Sequence, residues 1–516
     1  MDFMDNVSRI TSLSRRGFVL GSLATGAMIA TAPHAMAQSA GQLRFGLSSY
    51  PTNLAPFQHG GTAAGAVKLA IHRGLFGYAP DGKVRPELVE KWSREGDRQW
   101  TFTLRKNAVF HNGDPVDTAA VKYMFDQITA EKSTAYLKAA YQEIEKIDLV
   151  DALTFRLTLK EPNETLLYNL ASFNSPVISP KSTQDQIIGC GPYRITEQER
   201  GSWIRVEASK AFYRPGLPKV AKIEFKAFAD EDSRVVALES GDVDIVEFVP
   251  WQSMARIEGE SNLRLDAVDG PCLGITFNMK QGPFVDKRIR QAVAYAVDRS
   301  AVLQASFFGR GSILEGLPIP KDSFAFDPAL QGHWKRDVEK ARKLMQEAGA
   351  SGGIAATMLS TSQYGMHRSA AEICQQNLAD IGIAVELQLP DYPTRMQLGN
   401  RGQYQFSITG YPAPYADPDA LSVILSGSPT GSYLRSYGYE NKEVDDLLKR
   451  GRAVADLNER KKIYSQIAVK ALDDAAFVGL TWRSEGYAMK KSVQGFHNLT
   501  GPATIFSPTT LEETTL

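Results

Sequence analysis

Residues 275–299, ITFNMKQGPFVDKRIRQAVAYAVDR, change periodicity at the turn Gly282-Pro283. Before the turn, Ile275 and Phe277 alternate with polar neighbours, which predicts a short strand with Asn278 at its end. After it, Ile289, Ala292, Val293, Ala296 and Val297 recur at three and four residues, the spacing that lines one face of a helix, and Asp286 stands where a helix cap belongs. A strand feeding a helix through a tight turn is the repeating unit of α/β folds.

The same rhythm continues downstream. Residues 337–349 place Val338, Ala341, Leu344, Met345 and Ala348 on one helical face, with Asp337 as cap and Gly349 as stop. A helix over 370–381 ends at Gly382 and feeds a strand over 384–389; two further helices follow, the second over 460–472, and then a strand over 477–482. Upstream, an alternating strand over 43–47 opens into the polar loop Ser48-Ser49-Tyr50-Pro51-Thr52-Asn53, and strands are predicted over 154–159, 203–207 and 223–228. Residues 230–238 are predicted helical, and Trp251 projects from a polar loop beyond them.

The chain has 516 residues, 43% hydrophobic and 22% charged, enough for two or three packed units. Basic and acidic residues both number 58, so no overall basic field favours nucleic acid. Residues 1–37 are set apart: Ser14-Arg15-Arg16-Gly17-Phe18 precedes a weakly hydrophobic Gly/Ala-rich run that closes on Ala35-Met36-Ala37, which is similar to a twin-arginine export signal cleaved after Ala37. Periplasmic localisation follows as an expectation. Cys190, Cys272 and Cys374 are too few for a disulfide framework; buried free thiols are favoured over a Cys190–Cys272 bridge, which stays open.

Catalytic signals dissolve on inspection. Gly77 to Val84 falls one residue short of a phosphate-binding loop and lacks its hydroxyl, so it reads as a hairpin turn. His111 has no second His at ligand spacing. No Gly-x-Ser-x-Gly elbow or His-Glu-x-x-His helix is present, and neither an enzyme nor a cofactor is expected.

The order of these elements resembles the peptide/nickel/opine class of ABC-transporter solute-binding proteins, family 5. The resemblance rests on Phe277-Asn278, Pro283-Phe284, Asp286, Arg290-Gln291-Ala292 and Ala296-Val297-Asp298-Arg299, on Gly189-Cys190-Gly191-Pro192-Tyr193, and on the block from Gly74-Leu75-Phe76 to His111-Asn112-Gly113. It implies a two-lobed α/β periplasmic-binding-protein fold with an extra subdomain in the first lobe. The implied boundaries are 38–75, 190–270 and 483–516 for lobe I, 76–189 for its subdomain and 271–482 for lobe II. It also implies a monomer that closes on a small molecule between its lobes and docks on a membrane permease.

Site residues are implied in the same way. Tyr50, Asn53, Trp251, Asn278, Tyr364, Tyr411 and Tyr415 are placed at the cleft by the resemblance. In peptide-binding members an Asp pairs with the ligand's amine; the matching position here is Pro414, which has no charge to offer. Asp417 takes a later turn position. Arg368 matches an Arg that holds a ligand carboxylate in dipeptide binders. A small amino-acid conjugate, opine-like or glycosidic solute is therefore expected. The alternatives are a di- or oligopeptide whose amine is held by another acid and, third, nickel or a metallophore, although no His cluster offers a direct metal site.

Overall fold

A computed structural model describes residues 39–51, 53–183, 186–427 and 432–516; the expected export signal lies outside the described residues. Two long antiparallel strands, Leu263–Phe277 and Val478–Lys490, run through the middle of an eleven-stranded sheet. Their register starts at Leu263 opposite Lys490 and ends at Ile275 opposite Val478. The ladder is interrupted between Asp269 and Cys272. Gly270 and Pro271 occupy that gap, and a proline cannot donate to a ladder.

Different strands flank the two halves of this pair. Ile245–Val246 pairs with Met489 and Ala488, and beside it Ser39–Leu47 and Val220–Ala227 run parallel. At the other end, Phe406–Tyr411 pairs with 272–277, followed by Ile354–Leu359 and Ile383–Gln388 in parallel. Two cores pack against these strands, and the larger one also takes in Val246, Leu263 and Ala488 from the first half. Leu43, Phe45, Ile223, Phe225 and Met489 pack together in one, and Ile275, Phe277, Val293, Ile408 and Phe477 in the other. A third core, with Phe102, Met124 and Phe155, lies under a separate four-stranded sheet built from Val89–Glu95, Gln99–Leu104, Ile144–Leu149 and Thr154–Leu159.

Residues 275–299 fold as their periodicity predicts. Helix Lys287–Ala296 is capped by Asp286, which accepts from the Arg288 amide, and it buries Ile289, Ala292, Val293 and Ala296. Gly274 is required beside it, because a methyl group there would sit 2.2 Å from the Phe477 ring. Asp337 likewise caps Val338–Glu347, and residues 76–86 form the hairpin expected around Asp81-Gly82. Several expected boundaries move, two of them by five residues or more. The strand expected over 477–482 runs on to Lys490, and the helix expected from 370 begins at Gly365, so Arg368 lies in its first turn.

Cys190, Cys272 and Cys374 are free and buried. Burial pushes the Cys190 thiol up to about 12, so it is an inert core group. Gly189 and Gly191 flank it because a methyl group on either would strike the Ile71 backbone, at 2.2 and 2.4 Å. His111 meets the Gly191 carbonyl at 3.0 Å, a structural contact. No helix among the described residues is long and apolar enough to cross a membrane.

A buried ionic cluster ties the end of the sequence to its beginning. Glu512, at the end of the 3-10 helix Gly501–Glu512, is fully buried and pairs with Arg73 at 2.6 Å, with Arg85 at 3.0 Å and with Arg214. Glu87 pairs with Arg85 and Arg214, each at 2.9 Å, and accepts from the Tyr213 hydroxyl. Three guanidinium groups thus share two carboxylates away from water.

Candidate ligand site

Ligands of open α/β sheets bind outside the carboxyl ends of parallel strands. Here two such sets of strand ends surround one cavity of about 360 Å³. From one set come Ser48 and Ser49 after Ser39–Leu47, Phe248 after Ile245–Val246, and Ala229 and Arg234 after Val220–Ala227. From the other come Tyr364, Met366 and His367 after Ile354–Leu359, Tyr392 after Ile383–Gln388, and Gly410 with Pro412 at the end of Phe406–Tyr411. Arg483, on a long central strand, completes the wall. The volume is at the lower end for small-molecule pockets.

The cavity wall is rich in donors. Arg234 is 1% exposed; its terminal nitrogens donate to the Phe228 and Phe248 carbonyls, each at 2.9 Å, while Nε has no partner. His367 is 3% exposed with Nδ1 unpartnered, and burial together with Arg395 and Arg483 holds its pKa well below the usual histidine range, so the ring is neutral. Arg483 pairs with Glu485 at 2.6 Å and reaches the Met366 sulfur at 3.2 Å, with Nε unpartnered. Behind the wall, buried Arg395 lies against the rings of Tyr392 and Tyr433 at 5.6 and 5.5 Å and donates to the Ile408 carbonyl. Arg234 and Arg395 have no carboxylate within ion-pair distance among the described residues. Glu231 also lines the cavity and Glu485 answers Arg483, so the wall carries both signs, with the buried Arg234 guanidinium as its one cation lacking a carboxylate at ion-pair distance among the described residues.

Phe248 shows how the backbone is bent to this use. Its φ of +50° is a left-handed conformation that a bulky residue rarely adopts, and such strain clusters at functional positions. Its carbonyl holds Arg234, and the Arg483 guanidinium lies 5.9 Å from its ring.

Among the residues expected at the cleft, Tyr364 lines this cavity, with its ring 5.2 Å from that of Tyr392. The others do not line it. Trp251 does not project from a loop: it opens helix Trp251–Gly259, is buried, and donates its indole N–H to the Ser484 carbonyl at 2.6 Å. Asn278 is buried and saturated, donating to the Gly402 and Tyr404 carbonyls and accepting from the amides of Lys280 and Gln281. Tyr411 is buried and donates to the Ala420 carbonyl at 2.6 Å. Asn53 folds its own loop, accepting from the Ala55 amide and donating to Gln58, and Tyr50 packs on the core around Phe45.

Arg368 points to solvent, with its side chain 57% exposed and paired with Glu372 at 2.8 Å. Pro414 stands in the segment just beyond Pro412. Tyr415 stacks on Tyr168, ring centres 5.5 Å apart, and donates to Asp419. Asp417 has the turn role expected, accepting from the Asp419 amide, and it also pairs with buried Arg460 at 2.8 and 3.0 Å.

A second cavity of about 290 Å³ is lined by Trp482, Asp269, Ser312, Phe326 and Gly501, among others, and shares no residue with the first. Neighbouring residues on a strand face opposite ways, so Trp482 and Arg483 serve different sides. The Arg483 side alone collects both sets of strand ends and the unpartnered buried donors.

The fold is that of a two-lobed binding protein. The chain belongs to the bacterial extracellular solute-binding proteins, family 5, whose middle region matches residues 83–433. It is 27% identical to the glutathione-binding protein GsiB of Pectobacterium atrosepticum over 96% of this chain and 98% of that protein. Among solved structures, it is similar to the binding protein AgaA of A. tumefaciens R10 in complex with agropinic acid, at 36% identity, a TM-score of 0.84, and 92% and 99% of the two chains. The Helicobacter pylori protein DppA in complex with the peptide STSA shares the fold at 20% identity and a TM-score of 0.80, over 91% and 98%. Like these relatives the chain is a solute-binding component of an ABC transporter, which works with permease subunits and is not an enzyme.

Proposed function

We propose that the chain captures a small anionic organic solute, an amino-acid conjugate of the opine type, for import. The observation that carries this reading is the cavity wall, where Arg234, His367 and Arg483 each keep a buried nitrogen without a partner; the family resemblance adds Pro414 at the position where peptide binders carry an acid. A carboxylate brought there satisfies buried donors that otherwise go unmet. The likeness to a protein solved with agropinic acid supports the same class. The lobes are proposed to swing about the ladder interruption at Gly270-Pro271, and the ligand drives closure by binding the closed form more tightly.

Thermal unfolding of the mature protein tests this, since a ligand that binds only the folded state raises its melting temperature. Agropinic acid is expected to stabilise, and the dipeptide Met-Leu to leave the transition unchanged. Stabilisation by the dipeptide alone would instead favour the second reading, a peptide binder.

Export by the twin-arginine route with cleavage after Ala37 is proposed from Arg15-Arg16 and the Ala35-Met36-Ala37 pattern. Replacing both arginines by lysine is expected to leave the uncleaved precursor in the cytoplasm, read by cell fractionation. Unchanged periplasmic yield of the variant would refute that route.

A further inference from the structure

Beside this cavity, behind the lining residues Ser48 and Phe248, one buried acid has half of its hydrogen-bonding capacity unused. Glu247 is 2% exposed and sits between Val246, the last residue of its strand, and Phe248, which lines the cavity. Its Oε1 accepts from the Ser48 amide at 2.9 Å and from the Ser48 hydroxyl at 2.7 Å, and Ser48 also lines the cavity. Its Oε2 is buried with no partner. Burial raises the pKa of Glu247, and nearby Glu485 adds to the effect; Ser48 and Arg234 oppose it. A carboxylate oxygen held out of water without a donor is costly, so the site is incomplete as it stands.

We propose that Glu247 Oε2 is the counter-ion for a protonated amine of the ligand, the role that Pro414 cannot fill. The inference rests on the reading of the solute as an amino-acid conjugate and refines it: the solute binds as a zwitterion, its carboxylate against Arg483 and His367 and its ammonium against Glu247. A purely structural Glu247, holding the Ser48 loop, would support every ligand alike. A counter-ion would distinguish ligands by the charge on one nitrogen.

Two related solutes separate these roles. Mannopinic acid carries a secondary amine that is protonated at neutral pH, whereas in agropinic acid the same nitrogen is an uncharged lactam. Titration calorimetry of the wild type and Glu247→Gln with both compounds is the test, with the melting temperature of each ligand-free protein as the folding control. The variant is expected to bind mannopinic acid at least about tenfold more weakly, the loss of a charge-assisted hydrogen bond, and to bind agropinic acid within about twofold of wild type. Equal losses for both compounds, no loss for mannopinic acid, or a wild type that binds agropinic acid alone each overturn the amine role and leave the opine-type reading standing. Failure of the wild type to bind either compound overturns both.

Discussion

Glu512→Gln is expected to lower the unfolding free energy by about 3–5 kcal/mol, the range for removing one partner of a buried ion pair. The substitution keeps the volume of the side chain and removes a charge shared by Arg73, Arg85 and Arg214, leaving Glu87 as the one buried carboxylate for the three, with the more exposed Glu513 3.9 Å from Arg85. Burial decides the size of the effect. Exposed pairs such as Lys122–Asp126, with both side chains roughly half exposed, contribute about 0–1 kcal/mol, whereas Glu512 has no water to turn to. Urea unfolding followed by circular dichroism reads the difference, and a midpoint indistinguishable from wild type would show that the cluster does not hold this region.

Arg483→Gln is expected to weaken agropinic acid binding on the order of 100-fold, because truncating one member of a buried, hydrogen-bonded charge pair costs about 2–5 kcal/mol. Arg368→Ala, by contrast, should leave the affinity within about twofold, since its guanidinium is exposed and engaged with Glu372. The contrast separates the arginine that the sequence singled out from the one that lines the cavity. Because Arg483→Gln also strips Glu485 of its partner, Arg483→Gln/Glu485→Gln serves as a control for misfolding. The assignment fails if Arg368→Ala abolishes binding while Arg483→Gln spares it.

The fold was legible where physics is local. The change of period at Gly282-Pro283, the Asp286 and Asp337 caps and the turn at Asp81-Gly82 depend on neighbours a few residues apart, and all appear as read. The cavity was legible only in part, because its charges become meaningful through burial. Arg234 reads as an ordinary helix-surface cation, and nothing within a few residues indicates that its guanidinium is enclosed by the Phe228 and Phe248 carbonyls. Arg483 carried one usable signal, its place at the expected crossing between lobes. Asn278 and Trp251 erred the other way: polar or aromatic residues at element ends look available, but long-range partners at Gly402, Tyr404 and Ser484 consume them.

The Glu512 cluster also sets an order in time. Glu512 follows Arg85 by 427 residues and Arg73 by 439. At a synthesis rate of about 5–20 residues per second, the early arginines wait roughly 20–85 s for their carboxylate. During that interval Glu87 is the one buried carboxylate of the cluster within reach of both, so full pairing of the two guanidiniums has to follow synthesis of the segment around Glu512.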